Sequence, residues 1–331
     1  MARCAADVVA AVRATGLLAE RRPVLVMLSG GRDSVCLLDL ACRLAGTDAA
    51  RALHVNHGLR AGADEDEAHC ERLCAELGVE LEVERLGRPP ASGNVQAWAR
   101  DQRYAAAARH SGAGPPGEAV AAGHTATDQV ETILYRLAAA PGRRALLGME
   151  PRSGRLVRPL LAVTREETAA YCRARGLAWR EDPANESRAY ARTRVREDLV
   201  AALRAVHPAA EANLLETAAI LRAEAELLGT LVDGLLDGSP PARSIPLERL
   251  RAAPAALRRL AIQALADEAA GRPAPGAARR AGDVCSLASE GRAALDLPSG
   301  VRAVASDGVL RLEARADARP PAPGAAALRA P

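Results

Sequence analysis

The sequence predicts an α/β protein: a parallel, doubly wound sheet followed by a smaller, mainly helical domain. Three observations carry this expectation. Between residues 24 and 139, short apolar runs alternate with amphipathic segments, the pattern of βα units whose parallel strands lie beneath covering helices. The first run leads into its helix through a glycine turn, Ser29-Gly30-Gly31-Arg32-Asp33-Ser34. Strand, turn and helix in that order present the free N–H groups of a helix start to an anion. From Tyr190 onward the alternation gives way to long helical patterns.

The elements follow in order. Residues 4–19 read as a helix, with apolar positions recurring at three and four. Residues 24–28, 51–56, 81–86 and 119–123 are the strands, followed by helices over 33–44, 64–77, 95–109 and 128–139. Residues 156–161 add an edge strand, and 164–175 a helix closed by Gly176. Residues 190–206 are Arg-rich, and 209–236 form a long amphipathic run broken by Ser239-Pro-Pro241. Helices near 246–252, 255–270 and 276–289 precede a hairpin, 301–305 with 309–312, turning at Asp307-Gly308. The resulting division is a first domain over 1–200, a second over 201–315, and an Ala/Pro/Arg-rich tail, 316–331, with the composition of disorder.

At 331 residues and 49% hydrophobic composition, the chain can bury two cores. It contains no lysine, so all 44 basic side chains are arginine. A net charge of +3 does not by itself demand a nucleic-acid partner, which leaves that argument to local clusters. Seven cysteines are scattered without a Cys-x-x-Cys pair. Cys70 and Cys74 share a helix face but find no second pair to complete a zinc site, so buried free thiols are expected. No stretch reads as a leader or a membrane span, and a soluble cytoplasmic protein without a membrane partner is expected.

The loop at 29–34 is not a Walker A motif, which needs a lysine, nor the three-glycine dinucleotide fingerprint. Ser29 and Ser34 add hydroxyl donors, and Asp33 makes sense beside phosphate if it holds a divalent cation. Four further blocks fall at strand ends or just after them. His54-Val-Asn-His57-Gly-Leu-Arg60 closes the second strand, where His54 and Asn56 could shape a nucleoside pocket. Arg100, Arg103 and Tyr104 share a helix face suited to phosphate or a base, although a solvated face reads equally well. Gly123-His124-Thr125-Ala126-Thr127-Asp128-Gln129-Val130-Glu131 opens a helix, where Asp128 can join Asp33 around magnesium or simply cap the helix with Glu131. The last block is Arg158-Pro-Leu-Leu161, then Arg165-Glu-Glu, then Glu181 to Arg196. Its Arg188, Arg192, Arg194 and Arg196 surround Tyr190, a cationic segment with a stacking residue that suits single-stranded RNA.

Ser-Gly-Gly-x-Asp-Ser resembles the pyrophosphate (PP) loop of the N-type ATP pyrophosphatases. The five blocks together, in this order over residues 20–200, resemble the tRNA(Ile)-lysidine synthetases in their short form. The resemblance implies a C–N-forming ligase that uses ATP and Mg2+ to adenylate the wobble cytidine of a CAU-anticodon tRNA(Ile). Free L-lysine then displaces AMP at C2 of the base. On this reading Ser29, Gly30, Gly31, Arg32, Asp33 and Ser34 bind ATP, with His54 and Asn56 at the nucleoside. Asp33 and Asp128 hold magnesium. His124 with Arg100 or Arg103 stabilises the transferred phosphate, and Arg192 or Arg196 closes over the anticodon or the AMP group. Residues 201–315 bind tRNA, and a homodimer is left open. The alternatives are a tRNA thiolase or a non-catalytic nucleotide- or RNA-binding relative. Three positions depart from the family pattern: Thr127 replaces an acid, Thr193 stands where Asn is usual, and Ala138-Ala-Ala-Pro-Gly-Arg-Arg144 replaces a glycine-rich loop, which predicts a stiffer segment and altered activity.

Overall fold

The computed structural model describes residues 3–59, 62–87, 95–139, 142–181, 191–236 and 244–315. The chain divides between Ala219 and Ile220 into two compact units. In the first, α1 (Ala5–Ala14) precedes four βα repeats: β1 (Val24–Met27) with α2 (Arg32–Ala45), β2 (Ala50–Asn56) with α3 (Ala63–Leu77), β3 (Glu80–Arg85) with α4 (Val95–Ala113), and β4 (Ala119–Ala121) with α5 (Ala126–Ala139). The short helix α6 (Arg143–Leu146), the two-residue strands β5 (Arg152–Ser153) and β6 (Leu156–Val157), and α7 (Arg165–Arg175) follow. An Arg-rich helical run continues through α8 (Ala191–Arg194), a π-helical stretch at Val195–Val200, and α9 (Ala201–Val206).

The six-stranded sheet has the order β3-β2-β1-β4-β6-β5. All neighbours are parallel except β5, which runs antiparallel to β6. The winding therefore proceeds outward from β1 through β2 to β3, then returns to place β4 on the other side of β1. The expected strand over 156–161 is shorter than predicted, because Pro159 cannot donate to a ladder, and it is not the outermost strand, because β5 lies beyond it.

Both faces of β1 are covered, which explains its unbroken apolar run. Val24 and Val26 pack with residues of α1, α2 and α7 on one side; Leu25 and Met27 pack with Tyr104, Ala106 and Ala107 of α4 on the other. β3 forms one edge and carries Glu80, Glu82 and Glu84, charges that discourage pairing with another chain. At the start of α7, Thr164 and Glu167 make a reciprocal capping box, and Gly176 ends it at φ +68°.

The division falls within the long helix α10 (Ala210–Leu236). The second unit continues with β7 (Ser244–Pro246), α11 (Leu247–Ala252), α12 (Ala255–Ala270), a 3-10 turn at Ala277–Arg280, α13 (Ala281–Cys285), β8 (Arg292–Leu297), β9 (Val301–Ser306) and β10 (Val309–Ala314). Its antiparallel sheet runs β7-β10-β9-β8 around a core that includes Ile245, Leu250, Ile262, Leu265, Val301 and Leu310. The hairpin turns at Asp307 and Gly308, both at positive φ, as a two-residue connection requires. Strands β7 and β8 were not anticipated: one is three residues ending in proline, the other Arg-Ala-Ala-Leu-Asp-Leu, without a single β-branched side chain. The expected helix over 276–289 is the shorter pair of the 3-10 turn and α13. The tail at 316–331 lies outside the described residues. Among the described residues no helix is long and apolar enough to cross a membrane.

Candidate active site

The sheet places the glycine turn where the winding reverses. β1 and β4 are neighbours, and the segments leaving their carboxyl ends, 28–34 and 122–128, meet at the switch point where such folds bind ligands. The approach is close: a Cβ on Gly123 would stand 3.2 Å from the backbone of Asp33 and Ser34.

Within the turn the two glycines differ. Gly30 needs its freedom, with φ at +77° and the Cys70 sulfur and His69 ring each 3.3 Å from a hypothetical Cβ. Gly31 has an ordinary extended backbone, φ −77°, and serves as the N-cap residue of α2. The serine hydroxyls tie the turn together. Ser34 Oγ donates to Gly31 O at 2.8 Å and accepts from Ser29 N at 3.1 Å, and the two hydroxyls lie 3.1 Å apart. Arg180 clamps the turn from outside: its N–H donates to Gly30 O at 2.9 Å, and its guanidinium pairs with Asp66 and Glu65 on α3. The result is a preformed cradle at the start of a buried helix.

Across the switch point, Asp128 caps α5 from its own first turn. Its Oδ2 accepts from Thr125 N at 2.8 Å and from Thr125 Oγ1 at 3.0 Å, while Thr125 Oγ1 accepts from Asp128 N. The capping box is thus Thr125 with Asp128, one turn earlier than the expected pairing of Asp128 with Glu131. Asp128 Oδ1 faces two arginines, accepting from Arg165 at 2.7 Å and Arg192 at 2.5 Å. Glu131, also buried, accepts from Arg192 Nε and Arg196 Nε at 2.6 Å each and has Arg165 3.5 Å away. Arg192 and Arg196, expected to close over a substrate, are held here by these two acids.

Electrostatics separate the two aspartates. Burial pushes Asp33 up, and the charge of Asp128 adds to that, against a hydrogen bond from Thr168 and the nearby Arg32 and Arg165. Burial also acts upward on Asp128, but Arg192, Arg165 and the Thr125 N–H overcome it and hold the carboxyl below its usual range. His124 is brought down to about 3, first by burial and then by Arg100, Arg158 and Arg192, with Asp128 acting the other way. It is a neutral imidazole, and its Nδ1 is buried without a partner among the described residues.

Asp33 and Asp128 face a common guanidinium, Arg165, whose Nε is 3.6 Å from Asp33 Oδ2. Their hard oxygens fit magnesium, which takes one or two carboxylates and completes its shell with water and phosphate oxygens. Among the described residues no group of three or more His, Cys, Asp or Glu side chains could hold a metal ion by itself.

His54 and Asn56, expected at a nucleoside, are tied into the fold at the end of β2. Both are buried, and their bonds run inward. His54 Nδ1 lies 2.9 Å from Leu28 O and 3.4 Å from Cys70 Sγ. Asn56 donates to Glu67 at 2.8 Å and Asp64 at 3.1 Å, and accepts from Gly58 N. These side chains fix the end of β2 against β1 and α3. Arg100 stacks over Tyr104, 5.0 Å from the ring centre, and donates to its hydroxyl. Arg103 has no hydrogen bond or ion pair among the described residues. Arg60, Arg188 and Tyr190 lie outside the described residues.

A PP-loop domain model matches residues 5–203. The tRNA(Ile)-lysidine synthase of Salinispora tropica is 36% identical over 307 residues, spanning 88% of this chain and 91% of that protein. The chain belongs to the tRNA(Ile)-lysidine synthase family. The synthase of Pseudomonas fluorescens is 42% identical over 213 residues, 62% of this chain and 47% of its own length, so the chain spans about half of that relative. Among solved structures, the U34-tRNA thiolase NcsA of Methanococcus maripaludis superposes with a TM-score of 0.55 over 65% of this chain and 78% of that one, at 18% identity, a likeness of fold. The residues of the β1/β4 switch point thus fall within a PP-loop domain, of a family that uses ATP.

Several residues of this family member went unassigned in the sequence reading. Thr168 Oγ1 donates to Asp33 Oδ1 at 2.5 Å, and Arg165 joins both aspartates. Gln129 brackets Met149, donating to its carbonyl at 2.9 Å and accepting from its N–H at 2.6 Å. Thr127 accepts from Arg165 N at 3.2 Å and so steadies the start of α7. Arg165 was visible only as part of a motif; Thr168 and Gln129 act across gaps of 135 and 20 residues that local spacing does not reveal.

Proposed function

We propose that this chain joins L-lysine to the wobble cytidine of a CAU-anticodon tRNA(Ile), at the expense of ATP. The cytosine C2 carbonyl is a poor electrophile. Attack of its oxygen on the α-phosphorus of ATP expels pyrophosphate and leaves an adenylated base. A lysine amine then adds at C2, and the C–O bond breaks to release AMP. Catalysis here is mainly positioning and charge stabilisation.

The observation that carries this reading is the meeting of the 29–34 cradle with His124 and Asp128 at the β1/β4 switch point, in a chain matching a lysidine synthase over nine-tenths of that relative. The cradle receives the pyrophosphate, with Ser29 and Ser34 fixing its shape. Neutral His124 offers a hydrogen bond rather than a charge to the transferred phosphate, and Arg100 or Arg103 supplies positive charge beside it. Asp33 and Asp128 hold magnesium, which supplies charge neutralisation to the phosphates when bound. The Arg-rich run 191–206 and the second unit contact tRNA.

The test is incorporation of labelled lysine into a CAU-anticodon isoleucine tRNA transcript, with and without ATP. ATP-dependent label on that tRNA and none on the methionine tRNA is the expected result. A folded protein that binds ATP yet transfers no lysine would overturn the reading.

A further inference from the structure

Thr168 sits where the packing of α7 calls for an apolar side chain. It is fully buried, in the first turn of a helix whose Ala169, Tyr171 and Cys172 are buried as well. A hydroxyl at such a place costs free energy unless it is hydrogen-bonded. The carbonyl of Arg165, one turn back at 2.9 Å, would be enough for that. The same hydroxyl also reaches Asp33 Oδ1 on α2, at 2.5 Å and 135 residues away. One proton faces two acceptors, and the nearer, a carboxylate oxygen, draws it.

This bond decides which oxygen of Asp33 is spent. Oδ1 accepts from Thr168 and from Arg32 Nε, the latter at 3.3 Å. Oδ2 accepts no hydrogen bond among the described residues; Arg165 Nε stands 3.6 Å from it. Oδ2 is not sealed from solvent either. Asp128 is different. Its Oδ1 takes Arg165 and Arg192, and its Oδ2 takes the N–H and hydroxyl of Thr125. Of the four oxygens of these two acids, Asp33 Oδ2 is therefore the one left open among the described residues. A carboxylate fixed through one oxygen and open at the other is preset for a hard cation.

We propose that Thr168 is a positioning residue that, by donating to Asp33 Oδ1, fixes the carboxylate so that Oδ2 is presented to the magnesium ion. The assignment rests on the metal role proposed above for Asp33. Thr168 spends its own proton on the acid and acts through it.

The experiment reads metal binding directly, with Mn2+ in place of Mg2+. The full chain with a non-hydrolysable ATP analogue is titrated with Mn2+, and bound ion is followed by the loss of the free-ion electron paramagnetic resonance signal, against the analogue alone. Thr168→Val keeps the volume and loses the hydroxyl; it should weaken Mn2+ by about 10- to 100-fold. Thr168→Ser should recover most of that loss. In an Asp33→Asn background, Thr168→Val should cost nothing further, because the two residues act as one unit. Affinity for the analogue without metal, measured by equilibrium dialysis in EDTA, should stay that of the wild type. A merely structural threonine would lower the melting temperature and leave Mn2+ binding unmoved. Wild-type Mn2+ affinity in folded Thr168→Val, or equal losses in the two backgrounds, would overturn the proposal. Should Thr168→Val not fold, Thr168→Ala takes its place, and unfolding of both would assign the residue to the fold and overturn the proposal as well. Weakened Mn2+ in Thr168→Val, with no lysine incorporation by the wild type, would uphold the positioning role and overturn only the lysidine reading. A wild type that incorporates lysine while Thr168→Val keeps full Mn2+ affinity would do the reverse.

Discussion

Arg165 donates to Asp128 Oδ1 at 2.7 Å while its Nε stands 3.6 Å from Asp33 Oδ2. One guanidinium at the start of α7 thereby holds the acids at the ends of β1 and β4 in one place. Without it two largely buried carboxylates would face each other with less compensation. Arg165→Ala is expected to lower stability by about 3 kcal/mol, the lower end for breaking a buried pair, because Arg192 still holds Asp128. Urea denaturation measures it, and a loss below about 0.5 kcal/mol, the range of ordinary surface substitutions, would deny the bridge a structural role.

Asp33→Asn tests the metal role without disturbing the fold. The amide oxygen can still accept from Thr168 Oγ1, so the melting temperature should stay near that of the wild type. Pyrophosphate exchange into ATP, measured with tRNA present, should fall by about 100-fold or more if the carboxylate helps neutralise the phosphates. Unchanged exchange would remove Asp33 from the magnesium site.

Gly123→Ala probes the seam between the two loops. The added Cβ would lie 3.2 Å from backbone atoms of Asp33 and Ser34, which cannot swing away as a side chain does. Relief requires the cradle to shift, at a cost of about 1–3 kcal/mol. We expect that cost to appear as weaker ATP binding, read by equilibrium dialysis. Full ATP affinity would mean that the seam is slack.

Glu67 supplies a pH dependence. Hydrogen bonds from Arg85 and Asn56 hold its carboxyl below the usual 4.5, against burial acting the other way. A depressed carboxylate contributes stability that is complete above its unfolded value and is lost as pH falls through its folded one. The wild type should therefore lose stability below about pH 4.5, and Glu67→Gln should flatten part of that slope while costing about 1–3 kcal/mol at neutral pH. Denaturant midpoints from pH 3 to 7 would reveal it; parallel profiles for both proteins would refute the assignment.

The strands and helices of the first unit were legible because their periods are local. Val24 to Met27 reads as a doubly covered strand from composition alone, and Thr164 with Glu167 and Gly176 marks both ends of α7. The second unit was less legible. β8 has alternating exposure but neither β-branched nor aromatic residues, so only its pairing with β9 makes it a strand.

By itself the sequence determined the βα alternation, the glycine turn after β1, and the His, Asp and Arg motifs that carry its resemblance to the lysidine synthetases. These depend on residue type and short spacing, which the backbone reads directly. Only the tertiary structure decided which charges meet. Arg192 reaches Glu131 across 61 residues and Arg196 across 65, while the hydrogen bonds of His54 and Asn56 run inward and hold the end of β2. A guanidinium on a helix has several acids to choose from. Packing makes the choice, because a buried carboxylate must be matched by whichever donor the fold brings within hydrogen-bond distance.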